Sequence, residues 1–250
     1  MSKSHINELI KSFAEIGFPD SKSGDILVVQ SSYKGLGKLN GGPQAVVNAL
    51  LEVVGKNGTL IMPAYNFNCW TESHYFDAKE TPSNVGVIPE TFRLTPGVRR
   101  TKHPIHCLSV FGKLQHELCE MEYEHSFGED SVFAKLLAYN AMYCTLGLGL
   151  EMPLLPCHYP EARMKVAYRR KKNFAGIYVD ESGKAALKTY CFDVRALDKV
   201  PPTDMTHVLQ FERGSVKKHT FSGINLYYSR AKEYYDGMIS IIQERPELFF

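Results

Sequence analysis

His158 and Glu161 stand three residues apart in the segment LEMPLLPCHYPEARMKVAYRRKKNF. Pro160 predicts a helix opening there, since a first-turn residue loses nothing by lacking an N–H, and a carboxylate is electrostatically favoured in that turn. His158 then falls at or just before the helix N-terminus, and the spacing puts both side chains on one side of the first turn. A positive dipole end disfavours imidazolium and so keeps the ring neutral, as a general base requires. The competing reading is a histidine packed beside a helix start. Cys157 offers a thiolate nucleophile as a further alternative, although adjacent side chains usually diverge in direction. Arg169-Arg170-Lys171-Lys172 follows as the densest charge in the chain. It is either a solvated face or a receiver of phosphates, with Arg169 and Lys171 as candidate substrate contacts.

Other residues could also do chemistry. His103-Pro-Ile-His106 has the H-x-x-H spacing of a metal pair, and a metal hydrolase using His103, His106 and His158 is one reading. Against it, Pro104 opposes a regular helix presenting both rings, and only Cys107 lies nearby to complete a ligand set. No metal is therefore expected. Arg99, Arg100 and Lys102 precede this pair. Earlier in the chain, SSYKGLGKLNGG brings Ser31, Ser32, Lys34, Gly35, Gly41 and Gly42 before a helix N-terminus. Such a loop presents backbone N–H groups and a positive dipole end to an anion. It is neither a Walker loop nor GxGxxG, and an ordinary Gly-rich connection would look the same.

The elements that must position these residues are legible around that loop. ILVV (26–29) and TLIM (59–62) are continuous apolar runs and read as buried strands. The helix between them opens at Pro43 and stops at Gly55. Helical spacing recurs over residues 4–17, 88–94, 132–139 after Ser131 as cap, and about 229–242. CLSVFG and AMYCTL read as strands, and FAGIYV and LKTYCF as short ones. Residues 65–86 are turn-rich and too polar for a core, and a loop of that length is more often functional than idle; Tyr65 and Asn66 open it as candidate acceptor contacts. Strands interspersed with helices predict a layered α/β fold with a mainly internal mixed β-sheet flanked by helices.

At 250 residues, 44% hydrophobic and 22% charged, one soluble domain spanning 1–250 is expected. No apolar run reaches a membrane span, and the MSKSHINELIKSF start lacks the pattern of a secretory signal. Six cysteines without CxxC spacing suit a reduced, cytoplasmic protein. A net charge of +2 and no recognised module argue against nucleic acid. The sequence leaves a homodimer open.

Six short words occur in an order that resembles the aminoglycoside 3-N-acetyltransferase family: SS…LG…GGP…VGKNGTLIMP, YFD, TPSNVG, HPIHC, FGEDS and CHYPE followed by KVAYR. The resemblance covers roughly Gly24 to Phe174. It implies that the loop after the first strand, with His106, Phe127 and Ser131, binds an acyl-coenzyme A donor. It also implies that His158 deprotonates the amine attacking the thioester, with Glu161 supporting the ring. Several departures stand out. Gln30 occupies the place of a common histidine, Cys107 that of a serine, and Met152–Pro156 that of a polar pair able to donate to an oxyanion. The expected function is acyl-coenzyme A-dependent transfer to a primary amine of an amino sugar, with coenzyme A as co-substrate and no resident cofactor. With 29 Lys plus Arg against 27 Asp plus Glu, the charge clusters would repel a polycation but suit a pyrophosphate. The acceptor is therefore expected to be nucleotide-linked, acylated in the cytoplasm for a surface polysaccharide. The alternatives are an aminoglycoside 3-N-acetyltransferase conferring resistance, and a non-catalytic binder of coenzyme A or sugar.

Overall fold

The run Ile26-Leu27-Val28-Val29 is buried throughout, as its unbroken apolar character predicts. The computed structural model describes residues 3–19, 25–37, 40–196 and 203–245. Its elements begin with α1 (Lys3–Glu15), β1 (Ile26–Ser31), the single-turn α2 (Tyr33–Leu36), α3 (Gly42–Val54) and β2 (Thr59–Pro63). Next come α4 (Phe67–Thr71), β3 (Tyr75–Asp77), α5 (Val87–Arg93), β4 (Arg99–Arg100), β5 (Leu108–Gly112), α6 (Gln115–Glu120), α7 (Val132–Ala138) and β6 (Met142–Leu146). A 3₁₀ turn (Leu155–Cys157) leads into α8 (His158–Met164) and the long strands β7 (Arg169–Val179) and β8 (Ala185–Arg195). The chain continues with α9 (Thr203–Glu212), β9 (Lys217–Phe221), β10 (Ile224–Arg230) and α10 (Ala231–Glu244).

Seven strands pair in the order β4-β5-β2-β1-β6-β10-β9. β1 runs parallel to β2 on one side and to β6 on the other, and the outer pairings are antiparallel. Alternate residues of β1 serve opposite layers. Leu27 and Val29 pack with α1, α3 and α5, whereas Ile26 and Val28 pack with α6, α7, α8 and α10. This is the layered arrangement expected, with a mixed sheet between helices. Among the described residues no helix is long and apolar enough to cross a membrane.

A second sheet, β3-β7-β8, lies apart from the first and corrects two expectations. FAGIYV and LKTYCF are not short strands but parts of an 11-residue hairpin pair, whose first residues are the Arg169–Lys172 run. Residues 65–86 are not too polar for a core. Trp70 and Phe76 are fully buried in a cluster with Phe174, Tyr178 and Tyr190 of the hairpin, and the Trp70 Nε1–H donates to the Phe174 carbonyl at 3.2 Å. The partners that bury these rings lie about a hundred residues away, so local composition could not show them.

The fold positions a site through the parallel strands. β1, β2 and β6 end at one edge, on either side of the strand from which the crossovers leave in opposite directions. α/β sheets leave their ligand crevice at such a reversal. The loops after β1 and β6 are joined there. The Ser32 N–H donates to the Leu146 carbonyl at 2.9 Å, and a Cβ on Gly35 would lie 1.8 Å from the Gly147 carbonyl oxygen. Only glycine at position 35 lets the two backbones touch.

Candidate active site

α8 begins at His158, as the Pro160 signal predicts, and its first turn carries Glu161. The His158 Nδ1 and Glu161 Oε2 are 2.6 Å apart. Glu161 is 4% exposed, yet both carboxylate oxygens are engaged. The Tyr168 hydroxyl donates to Oε1, and the Arg169 Nε–H donates to Oε2 at 2.6 Å. A buried carboxylate survives only when paired and hydrogen-bonded in this way. Burial pushes the Glu161 pKa up, but His158, Arg169 and Tyr168 outweigh it and hold it below the ordinary glutamate value. With Glu161 ionised, Nδ1 carries the proton it donates, so in the neutral ring the lone pair lies on Nε2. Among the described residues the polar contacts to the ring all converge on Nδ1, and one third of the side chain is open to solvent.

The ring's charge preference differs from the expectation drawn from the helix dipole. Burial disfavours imidazolium, yet the Cys157 sulfur and Glu161 carboxylate outweigh it and raise the proton affinity of His158 above the ordinary value. Two contacts beside a buried carboxylate act at shorter range than a dipole end. Cys157 and His158 also fail to diverge, because Cys157 Sγ lies 3.6 Å from Nδ1.

The other candidate residues divide into those near this pair and those committed elsewhere. Phe127 stands between the two histidines, its ring 5.7 Å from that of His158 and 4.8 Å from that of His106. His106 is buried against Tyr65, Phe67 and Phe192, and its Nδ1 meets the Ser126 hydroxyl at 2.7 Å. His103 is also buried, with Nε2 on the Glu124 carbonyl at 3.2 Å and Nδ1 accepting two backbone N–H bonds. Burial lowers the pKa of both, that of His103 to about 3. The two rings are thus neutral polar groups of a loop-to-strand junction. The Cys107 thiol, in the serine's place, donates to the Ala64 carbonyl at 2.9 Å.

Ser131 caps α7, donating to the Gly128 carbonyl and accepting the Ala134 N–H. Asn66 caps α4 and donates to the Pro82 carbonyl. Neither side chain is free for a ligand as placed. Ser32 caps α2, with its hydroxyl accepting the Gly35 N–H at 3.3 Å. Ser31, at the end of β1, is 8% exposed and its hydroxyl has no hydrogen-bond partner among the described residues. Lys34 is exposed. Gly41 and Gly42 both have positive φ, and Gly42 is the first residue of α3, which has no side-chain cap at its N-terminus. Arg99 and Lys102 are spent on Glu120, Glu122 and Glu181, and Arg100 is buried on the Ala64, Ala78 and Thr81 carbonyls. That cluster is therefore structural, not a waiting pyrophosphate site.

A cavity of about 360 Å³ reaches Phe127, Glu161 and Arg169 and is bordered by Arg163, Lys165 and Lys171. It shares His125 and Lys171 with a cleft of about 700 Å³ that carries Glu122, Glu124 and Asp130. Sequence reasoning missed Tyr168, the His125–Asp193 pair at 3.2 Å and these carboxylates. Of these only Tyr168 carried a local signal, its place in the KVAYR word.

The chain matches the aminoglycoside 3-N-acetyltransferase family over residues 28–243 and belongs to that family. The aminoglycoside N(3)-acetyltransferase IX of Micromonospora chalcea is 30% identical over 177 residues, 63% of this chain and 61% of that enzyme. The chain thus matches less than two thirds of that relative's length. The solved structure of AAC-VIa bound to sisomicin superposes with a TM-score of 0.81 at 21% identity, covering 96% of this chain and 97% of the other. AAC-IIIb in binary complex with CoASH gives 0.80 at 18% identity, covering 96% of each chain.

Proposed function

We propose that the chain is an acyl-coenzyme A-dependent N-acyltransferase acting on a primary amine of an aminoglycoside-type amino sugar. The observation that carries this reading is the His158–Glu161 pair, with Nδ1 held by an ionised carboxylate and the polar contacts among the described residues all on that nitrogen, in a chain of this family. The amine nitrogen attacks the thioester carbonyl, and its surplus proton passes to Nε2. The C–N bond forms, the C–S bond breaks, and the proton leaves His158 for the departing sulfur, giving amide and free coenzyme A. Glu161 holds the ring in the tautomer that makes Nε2 the base. Coenzyme A acts as co-substrate, received at the strand-end edge by the Ser31 hydroxyl and the Gly41–Gly42 turn. The relative crystallised with CoASH supports that donor. Glu124 and Asp130 in the adjoining cleft, where Glu122 is already paired with Lys102 and Lys188, supply negative charge that suits a polycationic acceptor.

One observation favours a second reading of the acceptor. Lys165 and Lys171 border the cavity at Glu161, beside Arg163 paired with Glu129 and Arg169 paired with Glu161, and the two lysines suit the phosphates of a nucleotide-linked amino sugar made in the cytoplasm. The experiment compares kcat/KM for aminoglycosides and nucleotide-linked amino sugars at low and high salt, reading free thiol release. Aminoglycoside turnover that weakens with salt supports the main reading. Turnover of nucleotide sugars with aminoglycosides inert reverses it, and a protein that binds coenzyme A but releases no thiol with either class is non-catalytic.

A further inference from the structure

Arg169 opens β7, and its guanidinium is the group where the second sheet touches the candidate base. Its Nε–H donates to Glu161 Oε2 at 2.6 Å, its Nη1–H donates to the Asp193 carbonyl at 3.1 Å, and its Nη2 lies 2.9 Å from His158 Nδ1. The side chain is 13% exposed and its plane lies against the Tyr168 ring. The last of these contacts competes with Glu161 Oε2 for one ring atom, Nδ1. A guanidinium only donates. Its Nη2 therefore suits Nδ1 only when that nitrogen is bare, whereas Glu161 suits Nδ1 only when it carries a proton. Once the ring holds two protons, Nη2 becomes a positive neighbour at hydrogen-bonding distance. The same guanidinium, through Nε, stabilises the carboxylate that favours the imidazolium.

We propose that Arg169 is the positioning residue that sets the working state of His158. Through Nε it keeps Glu161 ionised and seated against the ring, and through Nη2 it drives the proton off the imidazole once the leaving sulfur can take it. A base held only by Glu161 and Cys157 would keep its proton and stall. The other groups facing the ring do not supply this opposition. Cys157 from the 3₁₀ turn and Glu161 from α8 favour the charged ring, Tyr168 is occupied on Glu161, Phe127 is apolar, and His106 is buried and neutral. A lysine could not replace the fork, because one ammonium cannot bridge carboxylate, imidazole and the Asp193 carbonyl together.

The inference rests on His158 as the base, and its test separates the two. NMR titration of the His158 ring, assigned by its loss in His158→Gln, reads the resting protein without substrate. In Arg169→Met the titration should move to higher pH by roughly one unit or more, as when a like charge at contact distance is removed. The acid limb of kcat/KM should move with it, and kcat near neutrality should fall at least about tenfold with acceptor KM within a few-fold. Arg169→Lys keeps the charge and disturbs folding less. Its titration should lie between wild type and Arg169→Met, and its kcat should stay low because the bridge is gone. An unmoved titration in either folded variant, with acceptor KM raised at constant kcat, overturns the inference and makes Arg169 an acceptor contact. Full turnover in His158→Gln would instead remove the base and leave the titration result standing.

Discussion

At the scale of single residues, the pair at the start of α8 makes the strongest claims. His158→Gln should cut turnover by about 10²-fold or more while donor binding stays near normal; turnover within a few-fold of wild type would end its assignment as base. Glu161 raises the proton affinity of His158, so imidazolium persists to higher pH and activity should climb with pH as the ring deprotonates. Glu161→Gln removes that support, and the acid limb of the pH–rate profile should move to lower pH while kcat falls. Cys157 touches Nδ1, on the side of the ring away from the proposed basic nitrogen. Cys157→Ala should therefore keep most turnover, and an acyl-cysteine trapped on the wild type, with a dead variant, would establish covalent transfer instead. His158 and Glu161 were legible because their spacing is a local property of one helical turn. Arg169 was legible only as a charge in a run of four. Its role depends on the turn that returns the start of β7 to Glu161 and on the Asp193 carbonyl of β8, which no local pattern encodes.

At the scale of elements, the β1–α3–β2 unit could be read because each piece carries its own stop signals, and its parallel pairing followed from the helix between. The hairpin and the buried face of residues 65–86 could be read only in part, since Trp70 and Phe76 are covered by residues of β7 and β8. The loop after β1 was legible as Gly-rich but not as two different devices. Gly35 serves the contact with Gly147, whereas Gly41 and Gly42 turn the chain into α3. These should separate experimentally. Gly35→Ala places a methyl group against a backbone carbonyl and should destabilise the fold by about 1–3 kcal/mol, measured by urea unfolding. A bulky residue at Gly42 should instead raise the donor's KM more than the acceptor's; equal effects on both would sink the donor-loop assignment.

At the scale of the whole molecule, several buried histidines are neutral in the folded state. Burial lowers the pKa of His103 to about 3 and of His207 to about 4, and pushes His106 well below the ordinary value. The unfolded chain binds these protons near pH 6.5 and the folded one does not. Stability should therefore be fully present above about 6.5 and fall as pH drops, by about 1.4 kcal/mol per unit for each group until its folded pKa is reached. His207 tests this cleanly, because neither ring nitrogen has a hydrogen-bond partner among the described residues. His207→Leu should leave stability at pH 7 unchanged or higher and flatten its decline between about pH 6.5 and 4, measured by urea unfolding across pH; an unaltered slope would count against it. The meeting of Gly35 with Gly147 has a further consequence, for how such a protein can diversify. With no side chain between the two backbones, neither loop can accept a larger residue at the crossing unless the other retreats. Change is thus steered away from the strand ends and toward the rim made by β8 and residues 122–130, where Glu122, Lys188 and Thr189 line a cleft of about 700 Å³.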